Sequence, residues 1–198
     1  MTDCQKRYIE NNIESIIHNE WNEFFDGLSP SWRYGMGNIF HVSDIEFLSH
    51  IQVIPPNLFY CCDELEHIVI PDNVRSIGES AFQRCCNLKS ALVSDNVECI
   101  KRNAFFECTD LINANLPAKL TTIDQNTFYS CKSLSTIVIP ESVKIIKSQA
   151  FANCTQLNNI SYTGTKEQWS SVDIEESAFF KVPQYNIRCS DGVTKLRH

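Results

Sequence analysis

Glycine, long apolar runs and basic residues are all scarce in this chain of 198 residues. Six glycines in total, with no Gly-rich loop, leave no phosphate cradle for a nucleotide. The longest apolar runs have only a few residues, whereas about twenty are needed to span a bilayer. Seventeen basic residues against 24 acidic ones give a net charge of −7, which repels phosphate backbones. We therefore expect neither a nucleic acid nor a membrane as partner.

Signatures of catalysis and of metal binding are also missing. The sequence contains no G-x-x-x-x-G-K-[ST], no G-x-S-x-G and no H-E-x-x-H. The histidines share no spacing with one another or with carboxylates: His18, His41, His50, His67 and His198. The sequence therefore predicts a non-catalytic protein without a metal ion or a cofactor.

The N-terminus lacks the features of an export signal. It reads MTDCQKRYIENNIESII, with acidic residues where a signal peptide has a basic segment followed by an apolar core. This pattern favours a cytoplasmic protein. A cell-surface or secreted protein is the alternative, if an export signal precedes Met1.

Cysteine, by contrast, is abundant, and half of the ten cysteines follow a fixed interval of 23 residues. These five are Cys62, Cys85, Cys108, Cys131 and Cys154. Their regular spacing is typical of a repeat, and we expect buried free thiols. Disulfides between neighbouring repeats stay open as an alternative, whereas zinc requires ligands that converge on one point. Cys4, Cys61 and Cys86 lie outside the column and are the candidates for reactive thiols.

Other apolar residues recur at the same 23-residue interval. Examples are Phe59, Phe82, Phe105, Phe128 and Phe151, then Leu65, Leu88, Leu111, Leu134 and Leu157, then Ile54, Ile77, Ile100, Ile123 and Ile146. The segment L-x-x-I-x-I is β-branched and alternating, which predicts a short strand. The following I-x-x-x-A-F-x-x-C should return the chain as one helical turn. Stacked at about 4.8 Å, such units bury one continuous apolar core.

These motifs resemble the BspA-like leucine-rich repeats, the 23-residue class also called Treponema pallidum-type, with consensus L-x-x-I-x-I-P-x-x-V-x-x-I-x-x-x-A-F-x-x-C. The clearest match is LEHIVIPDNVRSIGESAFQRC, from Leu65 to Cys85. The resemblance implies an α/β repeat, a right-handed solenoid with a parallel β-sheet on its concave face. It also implies a non-catalytic scaffold for protein–protein interaction, in many members adhesive, with host or matrix proteins as partners.

The register divides the chain into three parts. Residues 41–163 hold the repeats, a zeroth strand at Val42, Ile45 and Phe47 followed by five units of 23 residues. Residues 1–40 should form a helical cap, because apolar residues follow helical spacing between Asp3 and Asp26. A helix that joins copies of the chain is the alternative, and would make the protein a structural or oligomerisation element.

Residues 164–198 should form a C-terminal cap, because the 23-residue register ends after Tyr162. We expect Thr165 to cap a short helix that runs through Trp169. A closing strand is predicted from Tyr185 to Cys189. Trp169, Phe179 and Phe180 are the residues expected to plug the open end of the core.

A partner surface is predicted on the sheet, where the residues between the buried strand positions point outward. One row is Asp44, His67, Ser90, Asn113, Thr136 and Asn159, and the other is Glu46, Val69, Leu92, Asn115, Val138 and Ser161. The rows carry few charges and contain isolated apolar residues. Such a surface suits a protein better than a sugar, which usually stacks on aromatics, or a polyanion, which requires Lys and Arg.

Overall fold

The structure is a computed structural model that describes residues 48–183 and 186–195. The helical cap predicted over residues 1–40 and the zeroth strand at Val42, Ile45 and Phe47 lie outside these residues. The described chain winds through about six coils joined by parallel strands. Each coil corresponds to one sequence repeat, so the solenoid prediction is confirmed.

Every coil contributes one strand to a long sheet and, on its other side, a two-residue strand to a short sheet. In chain order the elements are β1 (Val53–Ile54), β2 (His67–Ile70), β3 (Ser76–Ile77), β4 (Ser90–Val93), β5 (Cys99–Ile100), β6 (Asn113–Ala114), β7 (Thr122–Ile123), β8 (Thr136–Ile139), β9 (Ile145–Ile146), β10 (Asn159–Tyr162), α1 (Lys166–Ser170), β11 (Asp173–Ile174), β12 (Asn186–Cys189) and β13 (Gly192–Lys195). The long sheet has seven strands in the order β13-β12-β10-β8-β6-β4-β2, and the short sheets have the orders β1-β3-β5 and β7-β9-β11.

The strands pair in the register set by the repeat. From β2 to β10, each strand of the long sheet pairs with the next at an offset of 23 residues, as in His67 with Ser90 and Thr136 with Asn159. Exposed and buried residues alternate along β2 and β8, because successive side chains of a strand point to opposite faces. This confirms the strand predicted for L-x-x-I-x-I.

The helical turn predicted for the return segment is wrong. Two residues of each coil have left-handed backbone conformations, with φ between 55° and 63°, and such residues end a right-handed helix. The first set is Asn57, Ser80, Asn103, Asn126, Gln149 and Ser177, and the second is Cys61, Arg84, Glu107, Ser130, Asn153 and Lys181. The resulting turns aim alternate N–H groups at the next coil, whereas a helix would bond them within its own turn.

These turns and the long sheet both bond neighbouring coils. On the turn side, the N–H of the earlier coil donates to the later one, as in Phe105 to the Thr127 carbonyl at 2.9 Å. On the sheet side, N–H groups donate in both directions: Lys89 donates to the Glu66 carbonyl of the preceding coil at 2.7 Å, and Val93 donates to Asn115 Oδ1 of the next coil at 2.7 Å. Each interior coil is therefore fixed to its neighbours through both walls.

A stack of six phenylalanine rings runs through the core. Ring centroids lie 5.0–5.4 Å apart with planes within 7° of parallel, for Phe59, Phe82, Phe105, Phe128, Phe151 and Phe179. Phe179 joins the stack although it follows Phe151 by 28 residues instead of 23. The backbone confirms this extra coil, because β11 pairs with β9 at the same 28-residue offset.

Helix α1 lies in this enlarged last coil and closes the core. Thr165 and Gln168 bond to each other's backbone N–H groups, at 2.7 and 3.2 Å, which is a capping box. Trp169 is 1% exposed and its ring packs on Tyr162, with centroids 5.2 Å apart. The Thr165 cap and the burial of Trp169 and Phe179 are thus confirmed, and β12 matches most of the predicted closing strand.

Phe180 does not plug the core, which corrects the prediction. Its side chain is 53% exposed, and Lys181 Nζ lies 5.3 Å from its ring centroid. The reason is its position directly after the buried phenylalanine column, where, among the described coils, only the small Ala152 is buried. Phe106 and Tyr129 hold the same position in earlier coils and are only half-buried.

Truncating one ring of the stack should destabilise the whole fold. We expect Phe128→Ala to lower the free energy of unfolding by about 3–5 kcal/mol, because it leaves a cavity between two rings. Phe180→Ala, a matched change at an exposed ring, should cost less than about 1 kcal/mol. Urea denaturation followed by circular dichroism measures both, and equal losses would contradict the buried stack.

Candidate functional site

The exposed face of the long sheet carries the two predicted rows, here called the sheet face. His67, Ser90, Asn113 and Thr136 are aligned by direct strand pairing, and Asn159 follows beside Thr136. In the second row, Val69 pairs with Leu92, and Val138 pairs with Ser161. Asp44 and Glu46 lie outside the described residues. The described members of each predicted row therefore share one surface.

The first row is polar and open to solvent. His67 Nδ1 and Ser90 Oγ lie 2.8 Å apart, a contact that a base and a nucleophile also make. In the part of the chain that the structure describes, no carboxylate hydrogen-bonds to the His67 ring. The pair lies on an open strand surface, so the contact is an ordinary cross-strand hydrogen bond.

The second row contains large aliphatic side chains that face solvent. Val69 is 63% exposed, Leu92 is 54% exposed and Val138 is 46% exposed. Val69 and Leu92 lie side by side, whereas Val138 stands apart from them on the far side of Asn115. The apolar part of the sheet face is thus divided in two.

Asn115 makes this division because its side chain replaces a stretch of backbone pairing. Strand β6 ends at Ala114, and backbone pairing with β4 covers two residue pairs only. The amide of Asn115 then accepts from Val93 N–H at 2.7 Å and donates to the Val93 carbonyl at 2.6 Å. Both backbone groups of Val93 are satisfied, although the neighbouring strand has ended.

Two hollows lie on the long sheet, one near each end. The first has a volume of about 460 Å³ and is lined by Val69, Ile70, Pro71, Asp72, Leu92, Val93, Ser94 and Asn115. The second, of about 490 Å³, is lined by Asn158, Asn159, Ile160, Asn186, Ile187, Arg188 and Val193. The first is mainly apolar, whereas the second is about equally polar and apolar.

Sequence reasoning missed the members that the last coil adds to the sheet face. Arg188 pairs with Ser161 and extends the second row, and Asn186 precedes it on the same strand face. Val193, 60% exposed, lies on the antiparallel edge strand β13. The sequence did predict the closing strand that holds Asn186 and Arg188. The strand is offset from β10 by 27 residues instead of 23, so the repeat interval did not place these residues in the two rows.

The cysteine column is buried and its thiols are free. Each of the five side chains is at most 1% exposed, which confirms the buried-thiol interpretation. From Cys85 onward, each thiol donates to the phenylalanine carbonyl of the preceding coil, as in Cys108 to Phe82 at 3.0 Å. Burial raises the pKa of Cys62 to about 11 and that of Cys154 to about 12. The reactive thiolate form is therefore suppressed at neutral pH.

Among the cysteines that the structure describes, the exposed one is Cys99, which the sequence interpretation did not single out. Cys61 and Cys86 are half-buried, and burial raises the pKa of each, whereas Cys99 is exposed on β5. Cys4 lies outside the described residues. Over residues 48–183 and 186–195, no group of three His, Cys, Asp or Glu side chains is arranged to hold a metal ion. None of these residues belongs to a helix with the length and apolar character that crossing a membrane requires.

Asn115 should be necessary for the stability of the sheet. We expect Asn115→Asp to lower the free energy of unfolding by about 1–3 kcal/mol, because a carboxylate would face the Val93 carbonyl without a donor. Asn113→Asp, two residues earlier and exposed, is the matched control and should change it by less than about 0.5 kcal/mol. Urea titration of both variants at neutral pH measures the two free energies of unfolding. Equal losses in the two variants would mean that the Asn115 amide does not stabilise the sheet.

Thiol labelling should separate the column from Cys99. In a Cys4→Ser background, we expect Ellman's reagent to react rapidly with Cys99, slowly with Cys61 and Cys86, and with the column only after unfolding in urea. Cys99→Ser should abolish the fast phase. A fast phase that persists in this variant would mean that a column thiol is accessible in the folded protein.

The chain is similar to solved structures of bacterial leucine-rich repeat proteins. The T. pallidum leucine-rich repeat protein is 27% identical, with a TM-score of 0.55 over 68% of this chain and 72% of that chain. A leucine-rich repeat protein from Eubacterium ventriosum is 28% identical, with a TM-score of 0.59 over 68% of this chain and 35% of that one. A third, from Bacteroides ovatus, shares the fold at 21% identity, with a TM-score of 0.54 over 72% of this chain and 48% of that one. The chain thus spans about a third of the Eubacterium protein and about half of the Bacteroides protein.

The comparison with curated proteins gives no match. The family model described as "BspA type Leucine rich repeat region" matches residues 52–181 in six copies, the same number as the rings in the phenylalanine stack. Leucine-rich repeat solenoids typically serve as protein-interaction scaffolds and are typically non-enzymatic. The repeat register, the stacked coils and the family match together establish that this chain belongs to the BspA-type leucine-rich repeat family.

Proposed function

We propose that this protein is a non-catalytic scaffold that binds another protein through the sheet face. The observation that carries the proposal is the exposure of Val69, Leu92 and Val138 in one row of a paired, rigid sheet. Large aliphatic side chains grouped on one exposed surface are typical of sites where another protein binds. Strand pairing holds the surface in shape before a partner arrives, which lowers the entropic cost of association.

The polar part of the same face supports a protein partner in preference to a sugar or a polyanion. The described positions of the two rows include no aromatic side chain on which a sugar ring would stack. Among these positions and their extension on β12, Arg188 is the one lysine or arginine, which is too little positive charge to bind a phosphate backbone. Hydroxyl and amide groups of Ser90, Asn113 and Thr136 instead suit hydrogen bonds to a peptide.

An adhesive role is the narrower form of the proposal, with a host or matrix protein as the partner. It draws on the family resemblance and not on any feature of the sheet face. Purified matrix proteins and a lysate of the source cell are therefore separate arms of one experiment. Capture from the lysate alone would overturn the adhesive form and leave the sheet face as the binding surface.

The experiment compares capture by two variants that each gain two glutamates. Val69→Glu with Val138→Glu alters the sheet face, and Thr121→Glu with Gln125→Glu alters exposed positions around β7. We expect the immobilised wild type and the control to retain the same identified partner, and the face variant to lose at least about tenfold in affinity, or about 1.4 kcal/mol. Circular dichroism verifies that both variants fold.

Two results would contradict the proposal. Equal affinity of the face variant and the wild type would move binding away from the sheet face. Retention of no protein by the wild type, in either arm, would remove the scaffold function itself.

A further inference from the structure

We propose that the apolar hollow at Val69 and Leu92 binds a segment of the partner that combines a large apolar side chain with a neighbouring lysine or arginine. This inference rests on the proposed function and narrows it to one part of the sheet face and one kind of partner sequence. The hollow, here called the Val69 groove, is the first of the two described above.

The Val69 groove owes its form to the early end of β6. Strands β2 and β4 continue through Ile70 and Val93, whereas β6 stops at Ala114. The chain then leaves the sheet, and only the Asn115 side chain closes the edge of β4. A step therefore forms beside Val69 and Leu92, where a complete strand would have extended a flat surface.

The floor of the groove is apolar and rigidly held. Val69 and Leu92 are paired across β2 and β4, and both expose more than half of their side chains. The residues on either side of them, Ile68, Ile70, Ala91 and Val93, are buried in the core. Transfer of a partner's Leu- or Phe-sized side chain onto such a floor is favourable because it removes apolar surface from water.

Val138 has the same residue type and row but lacks these surroundings. Its neighbours along the row are Ser161, paired with it on β10, and Asn115 on the other side. Neither supplies a second aliphatic side chain, and Val138 does not line the groove. Val138 thus belongs to the sheet face but not to the groove, and a change there should weaken groove binding less than a change at Val69.

Two carboxylates, one that lines the groove and one that follows a lining residue, determine the charge that the groove favours. Asp72 lines the groove, and Asp95 follows the lining residue Ser94 and occupies the position equivalent to Asp72 in the next coil. Asp72 accepts a hydrogen bond from Ser94 Oγ at 2.6 Å, and Asp95 accepts one from Ala118 N–H at 3.0 Å. Both side chains remain exposed.

No cation within the described residues neutralises these two carboxylates by direct pairing. The four ion pairs of the described chain join Arg84 to Glu107, Lys89 to Glu66, Arg102 to Glu79 and Lys147 to Asp124. Arg75 and Lys119 instead donate hydrogen bonds to Asn96, the residue after Asp95. A lysine or arginine of the partner would neutralise the negative charge of Asp72 and Asp95, as opposite charges do across complementary interfaces. The net charge of −7 also attracts a positively charged segment.

A displayed library of random peptides, selected against the full chain, tests the inference. We expect the enriched peptides to share a large apolar residue beside a lysine or arginine. Val69→Glu should weaken binding of a selected peptide by about tenfold or more, equivalent to about 1.4 kcal/mol, whereas Thr121→Glu, outside the sheet face, should leave it within about twofold. Val138→Glu, on the sheet face but outside the groove, should weaken binding less than Val69→Glu does. Biolayer interferometry gives the affinities, and circular dichroism verifies the fold of each variant.

The charge is tested by a second pair of variants. Asp72→Asn with Asp95→Asn should weaken peptide binding several-fold at low salt, and the loss should shrink at about 1 M salt because the Debye length falls to about 3 Å. Glu141→Gln, an acid in the same turn column two coils beyond Asp95, is the matched control and should bind like the wild type.

Each other outcome overturns the inference. Enriched peptides without a basic residue, or binding that is unaffected by the Asp72 and Asp95 changes, would remove the charge assignment. Sensitivity to Val138→Glu but not to Val69→Glu would move the site elsewhere on the sheet face while the proposed function stands. Failure to enrich any peptide would exclude the Val69 groove as a peptide site, and whole-protein capture would still decide the scaffold function separately.

Discussion

Backbone pairing between coils at a fixed 23-residue interval is the constraint on which the rest of the structure depends. Once strand and turn hydrogen bonds set this interval, every side chain has its own counterparts above and below it. Each phenylalanine ring then stacks on the ring of the neighbouring coil, as Phe82 does on Phe105. A column cysteine donates to the phenylalanine carbonyl of the preceding coil, as Cys108 does to Phe82. The core therefore needs no long-range arrangement of unlike residues, and its stability is close to a sum over neighbouring coils.

The same constraint makes local exceptions informative. A consensus coil gives a flat, repetitive strand surface, which offers a partner little that distinguishes one part from another. At Asn115 the backbone pairing gives way to a side-chain amide, and the sheet surface acquires a step next to two exposed aliphatic residues. The surface shape that distinguishes this protein thus arises where one coil departs from the repeat without disturbing its neighbours.

The periodic features could be read from the sequence, and the local ones could not. The columns of Phe128 and Cys131, and the outward position of Val69, follow from the interval and from strand alternation alone. The helical turn was mispredicted because A-F-x-x-C also has helical spacing, and the left-handed residues around it, such as Ser80 and Arg84, are not glycines. The Asn115 bond and the exposure of Phe180 depend on contacts with neighbouring coils or on the exact path of a turn, which residue type does not encode.

The hydrogen bonds of the turns have a consequence for the electrostatics of the array. In an α-helix the peptide dipoles point one way and leave partial charges at the ends. The bonded N–H groups of the turns also point one way, because Phe59, Phe105 and Phe151 all donate to the later coil, whereas a sheet carries only a small net dipole. The turn side should therefore carry a weak partial positive charge at its C-terminal end, and attraction at a longer distance is left to ionised side chains such as Asp72 and Asp95.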